Sequence, residues 1–181
     1  MAQDPIVLII RMLGEMYAFI IILRFLLQLS HADYYNPISQ AIAKLTNVPV
    51  VAISRAVPRI GKFDASALLY ATVVKLATLF LIVMVSGMDM PNIVHLLVLA
   101  LVGVVNGILE IYFWAVLGSV IISWVAPGSY HPGPQLIQQV TQPLFKLVQK
   151  VIPPIGGLDL SPIFIFLAIT IIQSQLGRFV Y

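Results

Sequence analysis

Long apolar runs dominate the chain and predict helices that cross a lipid bilayer. A membrane-spanning helix needs about 20 mostly apolar residues, and we expect such spans at about 5–29, 65–86, 96–124 and 161–180. The third run is longer than one crossing requires, so we expect it to tilt or to extend as a helix at the outer surface. The predicted fold class is therefore an all-α membrane protein with four transmembrane helices.

A different pattern occupies the connection inside each pair of spans. In the second connection apolar side chains recur at helical spacing, and polar residues, including Lys146 and Lys150, fall mainly on the other side; residues 38–48 show a shorter version. This period is typical of an amphipathic helix lying in the membrane interface, and simple packing on the spans is a compatible alternative. Because a helix interior tolerates proline poorly, Pro49 and Pro143 predict two short helical pieces in each connection.

The two halves of the chain match at a constant shift of 95 residues. The matched pairs include Glu15 with Glu110, Pro37 with Pro132, Thr46 with Thr141, and Asp64 with Asp159. We therefore expect two domains, 1–90 and 91–181, with amphipathic loops at 36–63 and 132–158. Because two spans per unit leave both units with the same topology, the repeats are predicted to be parallel and not inverted.

Composition excludes several classes of protein. The chain is 60% hydrophobic and 9% charged, whereas soluble domains carry about 25% charged residues. It has no cysteine, which removes disulfides, thiolate metal sites and cysteine nucleophiles. The formal net charge of +3 comes without the clustered Lys and Arg of a nucleic-acid footprint, so we expect no direct nucleic-acid binding.

Basic residues concentrate in the two amphipathic connections and predict the orientation. They are Lys44, Arg55, Arg59, Lys62, Lys146 and Lys150. Cytoplasmic loops carry the excess of Lys and Arg, so we expect both connections in the cytoplasm and both termini in the periplasm of a bacterial inner membrane. All of these basic residues except Lys62 are candidate contacts for lipid head groups or a protein partner.

A recurring motif precedes the second span of each half. It consists of Gly61, Asp64 and Ser66 in the first half, and of Gly156, Gly157, Asp159, Ser161 and Pro162 in the second. Asp and Ser are strong helix N-cap residues, proline fits just inside a helix start, and glycine permits a tight reversal. Helix capping is the first interpretation. The alternative is that the two Asp residues contact a partner or an ion at the cytoplasmic surface.

These motifs resemble the signature of the YggT (YlmG-like) membrane protein family. The copy at 151–163 resembles it closely, whereas the copy at 55–66 has Lys62 where a second glycine is expected and is followed by Ala67 in place of proline. The resemblance covers nearly the whole chain, as two tandem family units. It implies an integral membrane protein of bacteria and plastids that is not a known enzyme. Relatives are linked to cytochrome-complex assembly in chloroplasts, to nucleoid or division-related organisation, and to osmotic stress tolerance.

Among the ionisable residues of the predicted spans, four form a candidate charge cluster within the membrane: Arg11, Glu15, Lys75 and Glu110. Each costs about 2.5–3.5 kcal/mol by insertion scales, so such residues are functional candidates by default. One interpretation is that the two acids pair with the two bases and hold the spans together. The alternatives are that the carboxylates belong to a proton or cation path, or that the charges pair with another protein in the bilayer.

Other residues in the spans suggest packing. Gly103 and Gly107 form a GxxxG stretch that lets helices approach closely, either within the chain or in a homo-oligomer. We expect Asn106 and Gln173 to hydrogen-bond across helices, and Arg24 to extend to the cytoplasmic surface.

Nothing in the sequence indicates catalysis or a cofactor. His31, His95 and His131 are scattered without ligand spacing, and no glycine-rich phosphate loop is present. We predict a non-enzymatic membrane scaffold or assembly factor acting through its amphipathic loops, with membrane lipids and a membrane protein as partners. The alternative is an ion channel or transporter component in osmotic or ion homeostasis.

Overall fold

Six α-helices form most of the structure, a computed structural model that describes residues 4–57, 61, 63–154 and 159–179. They are α1 (Pro5–Leu29), α2 (Pro37–Ser54), α3 (Ala65–Ser86), α4 (Ile93–Val125), α5 (Pro132–Gln149) and α6 (Ser161–Gly177). No β-strand occurs within these described ranges. The prediction of an all-α fold is confirmed.

Three helices, α1, α3 and α4, are long and apolar enough to cross a membrane. The 33 residues of α4 extend beyond the length of one crossing. The apolar helix α6 has 17 residues, or about 25 Å at 1.5 Å per residue, against a hydrocarbon core of about 30 Å. Helix length and composition therefore support three spans, with α6 as a shorter apolar helix.

The helix starts follow local capping chemistry. Asp4, Asn36, Asp64 and Asn92 occupy the N-cap positions of α1 to α4, and each side chain accepts a hydrogen bond from a backbone N–H of the first turn. These bonds satisfy amides that have no partner within the helix. Gly87 ends α3 with a φ of +63°, a left-handed conformation that favours glycine.

The prediction of two short helical pieces in each loop is wrong. Pro49 lies inside the continuous helix α2, and Pro143 lies inside the continuous helix α5. A proline fixes φ near the helical value and removes only one hydrogen bond. In α2 the buried residues Thr46 and Val50 lie on either side of Pro49, so packing on the long helices holds both segments in one helix.

The helices repeat in order, length and contact. Subtracting the shift of 95 residues from the bounds of α5 gives 37 and 54, which are the bounds of α2. In the first half α1, α2 and α3 all contact one another, and in the second half α4, α5 and α6 do the same. The halves join where α4 packs against α1 and α3, and α5 also contacts α1 and α2.

The buried core lies on the inner sides of the long helices. Its larger part joins α1, α2 and α3 to α4 and α5, and it includes Ile21, Ile22, Leu26, Val50, Ala71 and Val104. A smaller cluster of Val116, Ile165 and Ile169 joins α4 to α6. The outward faces of the long helices also carry large apolar residues, as expected of helices that face lipid.

Candidate functional site

A cavity of about 780 Å³ lies among α1, α3, α4 and α6, and four charged residues of these apolar helices line it. Arg11 and Glu15 from α1, Lys75 from α3 and Glu110 from α4 all line it. Glu15, Lys75 and Glu110 each lie near the middle of their helix. The structure therefore brings together the four charged residues that the sequence singled out.

One ion pair forms within this cluster. The ammonium group of Lys75 donates a hydrogen bond to Oε2 of Glu15. The Lys75 side chain is 12% exposed and that of Glu15 is 54% exposed. The Lys75 side chain packs against Gly103, where a Cβ would lie in ordinary contact at 3.5 Å from Cδ of Lys75.

The other two charges make no ion pair within the described ranges. Arg11 and Glu110 are both exposed and line the cavity. Within the described residues, no carboxylate oxygen lies within 4.0 Å of the Arg11 guanidinium, and no basic nitrogen lies within 4.0 Å of the Glu110 carboxylate. Arg11 is one turn from Glu15, but the Glu15 carboxylate pairs with Lys75 on α3 instead. Of the predicted pairings between the two acids and the two bases, the described residues therefore form one, between Lys75 and Glu15.

A neutral polar pair also lines the cavity. Nε2 of Gln173 donates to Oδ1 of Asn106 at 3.1 Å, and both residues border the cavity. The predicted hydrogen bond across helices is confirmed, and it ties α6 to α4. The cavity is thus bordered by charged and amide groups inside an otherwise apolar bundle.

The small residues of the long helices serve close packing within the chain. A Cβ on Gly107 would lie 2.8 Å from Cδ1 of Ile22, and one on Gly14 would lie 2.2 Å from Oγ1 of Thr78. Gly103 faces Lys75, as described above. Both glycines of the GxxxG stretch therefore face other helices of the same chain.

Arg24 is bound to α2. Its guanidinium donates to Oγ1 of Thr46 at 2.8 Å, to Oδ1 of Asn47 at 2.7 Å, and to the carbonyl of Ala43 at 3.5 Å. The guanidinium of the half-buried Arg24 therefore reaches polar groups of α2, and its extension to the cytoplasmic surface stays a prediction. Arg24 thereby fixes α2 against α1.

The Asp residues of the repeated motif have different surroundings. Asp64 is fully buried, accepts from the backbone N–H of Ala67 at 3.3 Å, and accepts from the hydroxyl of Ser66. Gly61 has a φ of +59°, which suits a tight reversal. Gly156 and Gly157 lie outside the described residues.

Asp159 differs from the expected cap of α6. The N-cap position is held by Leu160, and Asp159 instead accepts from the backbone N–H of Ser161 at 2.9 Å. Pro162, in the first turn, has no N–H to offer. Nε2 of Gln149 donates to the other carboxylate oxygen at 2.9 Å. Burial raises the pKa of Asp159, but the hydrogen bonds from Ser161 and Gln149 outweigh it and hold this pKa below its usual value.

The basic residues of the loops are exposed. Lys44 and Arg55 lie on or just after α2, and Lys146 and Lys150 lie on or just after α5. Arg59 and Lys62 lie outside the described residues. Among the described residues, no group of three or more His, Asp or Glu side chains is arranged to hold a metal ion.

One contact absent from the sequence interpretation involves Tyr17 and Tyr70. The hydroxyl of Tyr70 donates to that of Tyr17 at 3.3 Å, and the rings meet edge to face at 6.0 Å. Tyr17 in turn donates to the backbone carbonyl of Leu45. The signal available in the sequence was Pro49, whose missing N–H leaves that carbonyl without its helical donor.

Apolar helices of spanning length, repeated in two halves with an amphipathic helix in each, define a helical protein of membrane type. The model of the CCB3/YggT family matches residues 3–85 and 88–180, one match for each half. The chain therefore belongs to the CCB3/YggT family, and its two-part repeat is the family unit in tandem.

Relatives cover nearly the whole chain. The uncharacterized protein PA0392 of Pseudomonas aeruginosa is 42% identical over 91% of this chain and 84% of its own length. An uncharacterized protein encoded in the proC 3′ region of Vibrio alginolyticus is 32% identical over 93% of this chain and 91% of its own length. The uncharacterized protein YggT of Escherichia coli is 28% identical over 91% of this chain and 85% of its own length. No solved structure matches the chain.

Proposed function

We propose that this protein is a non-enzymatic scaffold or assembly factor of the bacterial inner membrane, which acts through α2 and α5 at the cytoplasmic interface. The main support for this proposal is that the outward face of α2 exposes large apolar side chains. Leu45 is 60% exposed and Val48 is 83% exposed, although both belong to a helix whose other side is buried against α1 and α3. An apolar face with basic neighbours is typical of a helix that lies in the interface.

The charges beside this face favour a lipid surface as its occupant. Lys44 and Arg55 are exposed on the same side of α2 as Val48. On α5 the exposed Leu147 lies beside Lys146, and the exposed Val151 follows Lys150. Basic side chains near the membrane surface are each worth about 1 kcal/mol in contact with anionic lipid.

The proposed topology has four spans, with α6 as the shortest. An even number of spans leaves both termini on one side, and the basic residues of the α2 and α5 regions support the periplasm as that side. The duplicated halves are then parallel. A hydrophobic helix shorter than the hydrocarbon core is accommodated by local thinning of the bilayer at modest cost.

The position of α2 is tested by fluorescence quenching in proteoliposomes. Because the chain has no cysteine, Val48→Cys supplies a single labelling site on α2, and Asp89→Cys supplies one in the exposed α3–α4 connection. We expect a probe at position 48 to be quenched by lipids that carry a quencher in the acyl chain, and a probe at position 89 to be quenched by a water-soluble quencher. Equal quenching of both probes by the aqueous agent removes the interfacial placement.

The scaffold role is tested by crosslinking in native membranes. We expect the variant Lys146→Glu/Lys150→Glu to lose crosslinked membrane proteins that the wild type captures, whereas Glu110→Gln retains them. The first variant changes the α5 interface, and the second changes the internal charge cluster, so the two effects can be told apart. Identical captured sets for the wild type and the charge-reversed variant contradict the proposal.

A second candidate is a component of an ion or proton pathway. The observation that favours it is the cavity in which Glu110 and Arg11, without an ion pair in the described ranges, face the Lys75–Glu15 pair. We expect Glu110→Gln to abolish proton or cation flux through proteoliposomes if this function holds. No flux from the wild type, with no change in Glu15→Gln or Glu110→Gln, removes the candidate.

A further inference from the structure

One cation of the first half, Arg24, has a neutral counterpart in the second half. Arg24 on α1 donates to Thr46, Asn47 and Ala43 of α2. At the shift of 95 residues the counterpart of Arg24 is Ser119 on α4. The second half therefore has a short neutral hydroxyl where the first half has a guanidinium.

The residues that Arg24 contacts are matched in the second half by residues that border an open cleft. The counterparts of Ala43, Thr46 and Asn47 are Gln138, Thr141 and Gln142, and these three residues line one cleft together with Ser119. The cleft has a volume of about 460 Å³, within the range of about 300–1,000 Å³ typical of small-molecule sites.

The central threonine makes a similar helical contact in both halves. The Thr46 hydroxyl donates to the carbonyl of Ile42 at 2.6 Å and accepts from Arg24. The Thr141 hydroxyl donates to the carbonyl of Ile137, the counterpart of Ile42, at 2.9 Å and to that of Gln138 at 3.3 Å. Thr141 is fully buried in the wall of the cleft, so the acceptor beside it that a ligand can reach is the exposed amide of Gln142.

Charges of both signs complete the lining of this cleft. Asp159 and Lys146 both border it. The amide of Gln149, which also lines the cleft, donates a hydrogen bond to the Asp159 carboxylate. A ligand with a positive group alone would approach Lys146 unfavourably. A ligand that carries a donor-bearing cation and an anion a few bonds apart can use Asp159 and Lys146 at once.

We propose that the cleft bordered by α4, α5 and Asp159 binds the head group of an aminophospholipid, with its primary ammonium against Gln142 and Asp159 and its phosphate against Lys146. The proposal deepens the proposed function and rests on it, because that function places α5 at the cytoplasmic interface, where such head groups lie. In the first half Arg24 supplies the cation from within the chain, so the lipid site belongs to the second half.

Binding to the purified full chain in detergent tests the proposal. The probes are short-chain phosphatidylethanolamine, phosphatidylcholine, whose methylated ammonium has no N–H donor, and phosphatidylglycerol, which has no ammonium. We expect phosphatidylethanolamine to bind about tenfold or more tightly than the other two, the factor of one charge-assisted hydrogen bond. Equal binding of phosphatidylcholine overturns the proposal.

Ser119→Arg is the decisive variant, because it introduces into the second half the cation that Arg24 provides in the first. We expect it to fold and to lose phosphatidylethanolamine binding. Ser123→Arg, one turn further along α4, adds the same charge at an exposed position outside the cleft lining and is expected to bind as the wild type does. Wild-type binding by Ser119→Arg overturns the proposal.

The source of the cation is tested by competition. If agmatine, a free guanidinium compound, saturates the cleft while phosphatidylethanolamine does not compete, the occupant is an arginine of a protein and the lipid proposal fails. This failure is distinct from that of the proposed function. A cleft that binds no lipid leaves the quenching of the Val48→Cys probe and the crosslinked partners unchanged.

Discussion

The hydroxyl of Tyr17 donates a hydrogen bond to the backbone carbonyl of Leu45 at 3.4 Å. In an uninterrupted helix this carbonyl would accept from the N–H of residue 49, which is proline. The side chain of a long helix thus partly replaces a bond that α2 lacks. The same contact joins α1 to α2, and Tyr70 extends it to α3.

Removal of this hydroxyl should destabilise the first repeat. Tyr17→Phe leaves the Leu45 carbonyl without a donor and should cost about 0.5–1.5 kcal/mol, measured as a lower Tm in detergent. Tyr34→Phe is the control, because Tyr34 is exposed and makes a ring contact with Tyr35 alone. In a Pro49→Ala background, where the helix regains its N–H donor, the cost of Tyr17→Phe should shrink. An unchanged cost in that background contradicts the role assigned to Pro49.

Close packing of α1 on α3 at Gly14 gives a second prediction. Gly14→Ala places a Cβ 2.2 Å from Oγ1 of Thr78, so we expect an overpacking cost of about 1–3 kcal/mol. Gly107→Ala should cost less, because its nearest neighbour is the flexible end of Ile22. Gly177→Ala meets nothing within 4 Å and serves as the control. Thermal unfolding should rank the variants in this order, and a different order rejects the packing account.

The ion pair between α1 and α3 predicts unequal effects of neutralising the two glutamates. Glu15→Gln leaves the largely buried ammonium of Lys75 without its carboxylate, at a cost of about 1–3 kcal/mol. Glu110→Gln removes no ion pair of the described ranges and should lower the Tm little. The exchange variant Glu15→Lys/Lys75→Glu should recover part of the loss. Equal losses from the two single variants would show that Glu110 also stabilises the bundle.

The lowered pKa of Asp159 predicts a pH-dependent contribution to stability. A carboxyl whose pKa is depressed in the folded state stabilises the fold above its unfolded value of about 3.9, and this contribution is lost as the pH falls through the folded value. Asp159→Asn should therefore lower the Tm at pH 7, and its difference from the wild type should disappear in more acidic solution. Asp89→Asn, in the α3–α4 connection, is the control. A difference independent of pH contradicts the cause given.

Apolar periodicity, charge and the internal repeat predicted much of this structure. The long helices, the amphipathic helices and the meeting of Glu15, Lys75 and Glu110 all follow from patterns spread over many residues. Two features did not follow, because each depends on one partner in three dimensions. The continuity of α2 across Pro49 depends on packing against α1, and the position of Arg24 depends on acceptors that α2 presents to it.

The consequence of one difference between the repeats could not be predicted from the sequence. A shift of 95 residues pairs Arg24 with Ser119, but the sequence does not show which groups Arg24 binds. Those contacts depend on the side on which α2 packs, which the apolar pattern of a short helix does not define. The cleft lined by Thr141 and Asp159 could therefore be found from the structure alone.

Cysteine accessibility in intact cells tests the central claim, that the duplicated units are parallel and hold α2 and α5 on the cytoplasmic side. The cysteine-free chain permits three single variants, Lys44→Cys, Lys146→Cys and Asp89→Cys. We predict that a membrane-impermeant maleimide labels position 89 in intact cells and labels positions 44 and 146 only after permeabilisation. Labelling of positions 44 and 146 from opposite sides of the membrane, or of both from the periplasm, would contradict the account.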